Sequence, residues 1–238
     1  TEKFSESGQL QYKGHYQAGK LHGIQEWFHP NGELRERQVY IDGRKDGAWE
    51  FYYENGQPRS TGFYKNNYRD GPFEVFYIDA QLRSKGAHKN DKLDGSYESY
   101  FENGQLESTG NSIEGKKNGL WETFHSSGQL AQRGMYDNHK AVGVHEIFFE
   151  NGQLKSSGDF GDGKLEGPFN EYFESGQLSN QQCYKGGKKD GAFVSYYENG
   201  QLNTKGNFKH GGLDGPFEMY AEDGELKEKG VYEKGTLR

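Results

Sequence analysis

The sequence predicts an all-β protein, an elongated single-layer antiparallel meander of about ten hairpin repeats. Three observations support this fold class. A short motif recurs every 24 residues from residue 8 to residue 224 without an insertion. Glycine supplies 36 of the 238 residues, roughly twice its usual share, and so many glycines disfavour helices. The 17 Tyr, 16 Phe and 3 Trp residues recur at fixed places in the repeat.

Each repeat is anchored on the second residue of an Asn-Gly dipeptide or a close variant, and we number the repeat forward from this residue as position 0. Position 0 falls at residues 8, 32, 56, 80, 104, 128, 152, 176, 200 and 224. Only Ala80 is not glycine there. Because no linker or change in composition divides the series, we predict one repeat domain that spans residues 1–238.

The turn signals divide each repeat into two strands. Asn-Gly between apolar-rich runs predicts a two-residue type I′ turn, in which both central residues have positive φ. Positions 15–22 therefore form one strand and positions 1–8 the next. Polar residues and glycine at positions 9–14, seen at Ile41–Asp46, predict a second loop of six residues.

These turns predict which residues lie opposite one another. Across the Asn-Gly turn, the ring at position 17 faces the glycine at position 6, the ring at position 8 faces the glycine at position 15, and position 21 faces the leucine at position 2. The second loop keeps the same register, so each glycine at position 15 is expected between two rings. A ring that lies across a neighbouring glycine covers backbone that the glycine leaves bare.

Charged residues occupy the other face of the predicted sheet. Position 18 is glutamate in seven of nine repeats, and it faces position 5, which is Lys or Arg in six of ten. Cross-strand pairs of opposite charge stabilise the register. Position 20 is aromatic in all nine repeats and adds a row of rings beside these charges. We expect a solvated face whose basic residues are already paired.

The repeat unit resembles the MORN repeat, and more closely the bacterial MORN-repeat variant. The segment Gly95–Leu106, Gly-Ser-Tyr-Glu-Ser-Tyr-Phe-Glu-Asn-Gly-Gln-Leu, carries this resemblance, which extends over essentially the whole chain. The resemblance implies an open sheet of successive hairpins that binds protein segments along an aromatic-lined groove, and lipid binding is also implied. The bacterial variant further implies an antitoxin or immunity partner of a delivered toxin.

Charge and composition exclude several kinds of partner. The net charge is −7 and no cluster of Lys and Arg occurs, so we expect no nucleic-acid partner, and an anionic membrane is disfavoured as a partner. No apolar run approaches the length of a membrane-spanning helix. The chain begins at Thr1 and not at Met, so we expect that residues before it were removed, either as a cleaved signal or by trimming. A bacterial periplasm or cell envelope is favoured over the cytoplasm.

The residue types that carry catalysis lack the required spacing. His145-Glu146 begins like a zinc-protease motif, but Phe149 stands where the second histidine is needed. No Gly-x-Ser-x-Gly segment occurs, and Cys183, the only cysteine, has no catalytic signature around it. We therefore expect a protein that is not an enzyme and uses no cofactor and no metal.

Two functions from different classes remain. The first is a non-catalytic protein-binding module, an immunity or antitoxin protein that occludes a bacterial toxin or effector. The second is a structural or membrane-associated scaffold of the cell envelope. Edge strands with free N–H and C=O groups also predict weak self-association.

The contact site is predicted where the repeat is least regular. Position 8 loses its ring in two consecutive repeats, at His88 and Ser112, and the loss predicts a depression in the middle of the sheet. In the same region histidine replaces a ring at positions 21 and 17. The predicted partner-binding residues are Tyr64, His88, Tyr97, Ser112, Trp121, His125, Tyr136 and His145.

Filling this depression tests the prediction. The double substitution His88→Tyr with Ser112→Tyr restores the residue most common at position 8, so we expect thermal stability to be kept or raised. Affinity for the partner is expected to fall at least tenfold, about 1.4 kcal/mol, in a calorimetric titration. Unchanged affinity would place the partner elsewhere, with the position-20 face as the next candidate.

Overall fold

The computed structural model describes residues 1–238 and contains 23 strands and no helix. Every strand pairing that it records is antiparallel, which confirms the predicted all-β meander. The chain divides into two compact units, residues 1–117 and residues 118–238, and each is described by itself.

The first unit is a meander of short strands joined by tight turns. Its strands are β1 (Glu2–Phe4), β2 (Leu10–Gln17), β3 (Lys20–Phe28), β4 (Leu34–Ile41), β5 (Arg44–Tyr52), β6 (Pro58–Lys65), β7 (Tyr68–Arg69), β8 (Gly71–Phe76), β9 (Leu82–Lys89), β10 (Lys92–Tyr100) and β11 (Leu106–Ile113). The short β7 and the following β8 together take the place of one full strand, so β6 pairs with both.

The second unit repeats this arrangement. Its strands are β12 (Lys116–Phe124), of which the first two residues belong to the first unit, β13 (Leu130–Asp137), β14 (Lys140–Phe148), β15 (Leu154–Gly161), β16 (Lys164–Tyr172), β17 (Leu178–Lys185), β18 (Lys188–Tyr196), β19 (Leu202–Lys209), β20 (Gly212–Leu213), β21 (Gly215–Tyr220), β22 (Leu226–Glu233) and β23 (Thr236–Leu237). Here β20 and β21 share the place of one strand.

The Asn-Gly connection is not the predicted type I′ turn. Only Gly104 has positive φ, at 81°, and its N–H donates to the Phe101 carbonyl at 2.9 Å. This is a type I turn followed by a left-handed glycine, which forms a bulge between the strands. The side-chain oxygen of Asn103 accepts a hydrogen bond from the Gln105 N–H at 3.0 Å, which stabilises the turn. The bulge places Tyr100, and not residue 101, opposite Leu106.

The type I′ turn occurs instead at the second connection, where a six-residue loop was predicted. Between β4 and β5 only Asp42 and Gly43 form the turn, and both have positive φ, 50° and 84°. Ile41 and Arg44 on either side of them are already paired. The prediction was wrong because small and polar residues at positions 10 and 11 satisfy the left-handed turn, and positions 12–14 then continue the strand.

The register confirms one half of the predicted pairing and corrects the other. Tyr97 at position 17 lies opposite Gly86 on one side and Gly110 on the other, as predicted. Gly95 at position 15 lies opposite Ser112, as predicted. On the other side of the strand, His88 pairs with Leu93 at position 13 and not with Gly95. Positions 15 and 16 therefore form a bulge on that side.

The glycines at position 15 consequently have a ring on at most one side. Gly167 lies opposite Tyr184, whereas Phe160 lies opposite Leu165. Gly47 and Gly191 follow the same rule. The prediction of rings on both sides is wrong for all three. Glycine is required at this position by the positive φ of the backbone, which is 77° at Gly167.

The core is a row of side chains that lie across the glycines of neighbouring strands. Trp49, Trp121 and Phe217, all at position 17, are buried. A Cβ atom placed on Gly62 would lie 2.5 Å from the ring of Trp49, so the ring lies directly on the glycine backbone. Where the pattern departs from ring and glycine, the substituted residue is also buried, as at Gln25 and Gln182.

Hydrogen bonds link equivalent turns of successive repeats. On one side, the Gly43 N–H donates to the Leu21 carbonyl at 2.8 Å. On the other, the side-chain amide of Asn55 donates to the Ile78 carbonyl at 3.1 Å. Because each bond joins one repeat to the next, the turns fix the spacing of the strands at both ends.

Two substitutions at Gly167 test backbone strain at a site without crowding. Nothing lies within 4 Å of a Cβ atom placed on Gly167, so Gly167→Val should lower the free energy of unfolding by about 1–3 kcal/mol through its left-handed backbone alone. Gly167→Asn is the control, because asparagine tolerates this conformation and should cost less. Urea unfolding measures both. Equal midpoints for the valine variant and the unmodified protein would contradict the assignment of strain.

Candidate functional site

Four of the eight predicted contact residues lie in the first unit. Tyr64 packs against Trp49, with ring centroids 6.1 Å apart, and Tyr97 lies between two glycine-bearing strands. Ser112 is only 2% exposed, so the missing ring does not leave it open to solvent. His88 keeps a ring at position 8, stacked on Phe73 at a centroid distance of 4.4 Å.

The other four lie in the second unit. Trp121 is buried at position 17. His145 is buried between the rings of Tyr136 and Phe160, at 5.1 and 4.8 Å, and its Nε2 lies 2.8 Å from the Met135 carbonyl. It therefore replaces an aromatic core residue. The contribution of these eight residues to partner binding stays a prediction.

His125 belongs to a ladder of hydrogen bonds beside the Asn-Gly turns. Its Nε2 lies 3.1 Å from the Phe148 carbonyl. Tyr53 and Tyr77, also at position 21, donate from their hydroxyls to the carbonyls of Phe76 and Tyr100 in the same manner. The histidine at position 21 thus makes the same bond as the tyrosines at this position.

The outward face carries ion pairs in a regular row. Arg37 contacts both Glu26 and Glu50 at 3.0 Å, and Lys205 contacts Glu218 at 2.8 Å. The pKa of Glu218 is lowered by the hydrogen bonds that it accepts from Lys205 and Tyr220. The predicted pairing of positions 5 and 18 is therefore present in both units.

In each unit, a row of exposed apolar side chains lies beside the ion pairs, and it was not predicted from the sequence. Positions 16 and 7 lie opposite each other on the outward face, as at Ala48 and Phe63 or Leu120 and Met135. We call these positions the apolar row. Its most exposed large members are Ile24, Phe63, Leu120, Met135, Val144 and Val231, each 45–57% exposed. The sequence signal for this row is an apolar residue at position 16, directly after the glycine at position 15.

Two grooves follow the apolar row at equivalent places, one in each unit. The first has a volume of about 440 Å³ and includes Phe63, Pro72 and Ala87. The second has a volume of about 320 Å³ and includes Ala192 and Pro216. Both are bordered by residues of the ion-pair row.

The structure has neither of two features that would indicate another kind of site. No group of three or more His, Cys, Asp or Glu side chains is placed to hold a metal ion. No helix is long and apolar enough to cross a membrane.

His88 is the histidine with a perturbed protonation equilibrium at the predicted site. Burial lowers its pKa from 6.5, and the positive charge of Arg69 acts in the same direction, while Asp91 opposes them. Its Nδ1 is buried without a hydrogen-bond partner. The neutral ring is therefore the form that packs on Phe73.

This shift predicts a pH dependence of stability. The unfolded chain binds a proton at His88 near pH 6.5 and the folded chain binds it only at a lower pH, so the free energy of unfolding should fall as the pH is lowered below 6.5. His88→Phe, which has the residue found at Phe160 and Phe208, should remove this component. Urea unfolding at pH 5 and pH 7.5 measures the difference, and equal pH dependence in both proteins would contradict the shift.

Comparison with solved structures gives distant likenesses. The wild-type TCP10 domain of Danio rerio CPAP in complex with a peptide of Danio rerio STIL is 14% identical, with a TM-score of 0.35, and the match covers 98% of this chain and 99% of that chain. The same domain without the peptide gives a TM-score of 0.32 at 14% identity, over 97% and 94% of the two chains. The TcdB2-TccC3-Cdc42 structure gives 0.22 at 12% identity, over 95% and 14%. No curated protein matches the sequence.

The family comparison is decisive because it covers most of the chain. The MORN repeat variant model matches residues 1–18, 21–42, 45–66, 93–113, 117–138, 141–162, 165–185, 189–210 and 213–234. Residues 67–92, which contain Ala80 and His88, lie outside the matched segments. These matches follow the 24-residue period of the strands, and the chain therefore belongs to the MORN repeat variant family.

Proposed function

We propose that this repeat scaffold is a non-catalytic protein-binding module, and specifically an immunity or antitoxin protein that binds and occludes a bacterial toxin or effector. The observation that carries the binding role is the apolar row. Six large side chains at equivalent positions of the repeat expose about half of their surface beside paired charges. Apolar centres with polar rims are typical of protein interfaces.

The rigidity of the strands supports the same role. The turns are linked from repeat to repeat, so the outward side chains are held in place before a partner arrives. A preorganised surface loses little conformational entropy on binding. The toxin as partner rests on what the bacterial MORN variants imply and is the finer part of the proposal.

The alternative is a structural or membrane-associated scaffold of the cell envelope. The same exposed apolar side chains favour it, since they could enter a lipid surface. The row of glutamates beside them opposes binding to anionic lipid, because like charges repel. Co-sedimentation with anionic vesicles separates the two functions: strong binding that weakens with salt would support the scaffold and contradict the immunity role.

Substitution within the apolar row tests the proposed function. Ile24→Ser with Phe63→Ser, both in the first unit, should weaken binding of the cognate toxin at least tenfold, measured by calorimetry, and leave the unfolding midpoint nearly unchanged. The matched control is Ile78→Ser. Ile78 is 64% exposed but lies in a turn outside the row, so its loss should leave affinity unchanged. Equal losses in all variants would contradict a specific surface.

A further inference from the structure

In the first unit, one carboxylate of the ion-pair row has no cation. In the first unit, Thr61, Glu74, Lys85 and Glu98 lie opposite one another across β6, β8, β9 and β10. Lys85 stands between two glutamates, and its Nζ lies 2.9 Å from Glu98. Glu74 is exposed and makes no ion pair.

The side chains around Lys85 explain why it pairs with Glu98 and not with Glu74. The Tyr100 hydroxyl donates to Glu98, and the Lys85 ammonium lies 6.0 Å from the centre of the Tyr100 ring. Hydrogen bonds from Tyr100 and Lys85 lower the pKa of Glu98. Lys85 is thus held on the Glu98 side. Thr61, on the other side of Glu74, carries no charge, although position 5 is Lys or Arg in six of ten repeats.

Glu74 also borders the larger of the two grooves of the apolar row. Phe63 stands against Gly71 and is 46% exposed. Pro72 lies two residues before Glu74 and opposite Ala87. A free carboxylate and an exposed ring therefore lie at one groove of about 440 Å³.

The equivalent groove of the second unit lacks this arrangement. There Lys205 lies opposite both Val194 and Glu218, and its Nζ contacts Glu218 at 2.8 Å. The only carboxylate that lines this groove, Glu218, is paired with Lys205. Glu122 in the second unit also makes no ion pair, because Arg133 contacts Glu146, but Glu122 does not line this groove. An unpaired carboxylate at a groove of the apolar row is therefore found at the first groove and not at the second.

We infer that the groove formed by Phe63, Pro72, Glu74 and Ala87 binds an arginine side chain on an extended segment of a partner protein. The guanidinium group can pair with a carboxylate through two hydrogen bonds and stack on an aromatic ring, which suits Glu74 and Phe63. In an extended segment, residues two apart point the same way and lie about 6.6 Å apart. An apolar residue two positions from the arginine reaches Pro72 and Ala87.

The overall charge of the chain points to the same partner. The net charge of −7 attracts a basic segment at long range. This inference rests on the proposed function, because it names the chemistry of the partner that the module binds. It is tested with a peptide, so its outcome is read separately from that of the toxin experiment.

The probe is the peptide acetyl-Leu-Ser-Arg-Ser-Leu-amide, which presents leucine on either side of arginine and fits both strand directions. Its matched control contains citrulline, which keeps the shape of arginine and removes the charge. NMR titration should place the binding at Phe63 and Ala87, and the arginine peptide should bind about three- to fivefold more tightly. Equal binding of the two peptides, or no binding at this groove, would overturn the inference.

Two substitutions assign the preference to Glu74. Thr61→Lys gives position 5 its usual charge opposite Glu74, so we expect the preference for arginine over citrulline to disappear without loss of stability. Glu74→Gln should have the same effect. Arginine preference that survives both substitutions would contradict the site.

Thr109→Lys is the matched control. It makes the same change in the same row, but opposite Glu98, which Lys85 already neutralises. Three strand spacings separate Thr109 from Glu74, about 14 Å, which exceeds the screening length at physiological salt. The preference for arginine should remain in this variant. Its loss would indicate a general effect of net charge and overturn the assignment to Glu74.

Discussion

The contact between the side chain at position 17 and the bare backbone of the glycine at position 6 is the interaction on which the rest of the structure depends. In each unit the strands have few aliphatic residues to pack, and the rings supply the apolar area instead. A ring can lie flat on a neighbouring strand only where no Cβ atom intervenes, as Trp49 does on Gly62. The glycines are therefore part of the core as well as of the turns.

This contact explains which departures from the repeat are tolerated. His145 takes the place of a ring at position 17, and it is buried, packed between two aromatic rings and hydrogen-bonded to a backbone carbonyl. Gln25 occupies the same position in the first repeat, fully buried, and its amide donates to the His15 carbonyl at 2.8 Å. A polar residue replaces a ring here only when its hydrogen bonds are satisfied.

The regular spacing gives meaning to small irregularities on the outward face. Arg37 and Lys85 each stand between two glutamates, so a row of alternating charges can pair in more than one way. Replacement of one cation by Thr61 leaves Glu74 unpaired, because Lys85 is held by Glu98 and Tyr100. At the corresponding place the second unit has Val194, so Lys205 leaves no carboxylate unpaired at its groove. One substitution thus distinguishes two otherwise equivalent grooves.

The sequence alone determined the strand order, the antiparallel pairing and the ring-on-glycine core, because a 24-residue period with fixed glycines and rings allows few other arrangements. It did not determine the turns: Asn103 and Gly104 resemble a type I′ pair, yet the side chain of Asn103 stabilises a type I turn and a bulge. It also missed the apolar row, since the bulge at positions 15 and 16 is visible only once both neighbouring strands are in place. The pairing of Lys85 with Glu98 and not with Glu74 was decided by tertiary structure. Both glutamates occupy position 18 of the repeat and lie opposite Lys85, and the hydrogen bond of Tyr100 to Glu98 distinguishes them.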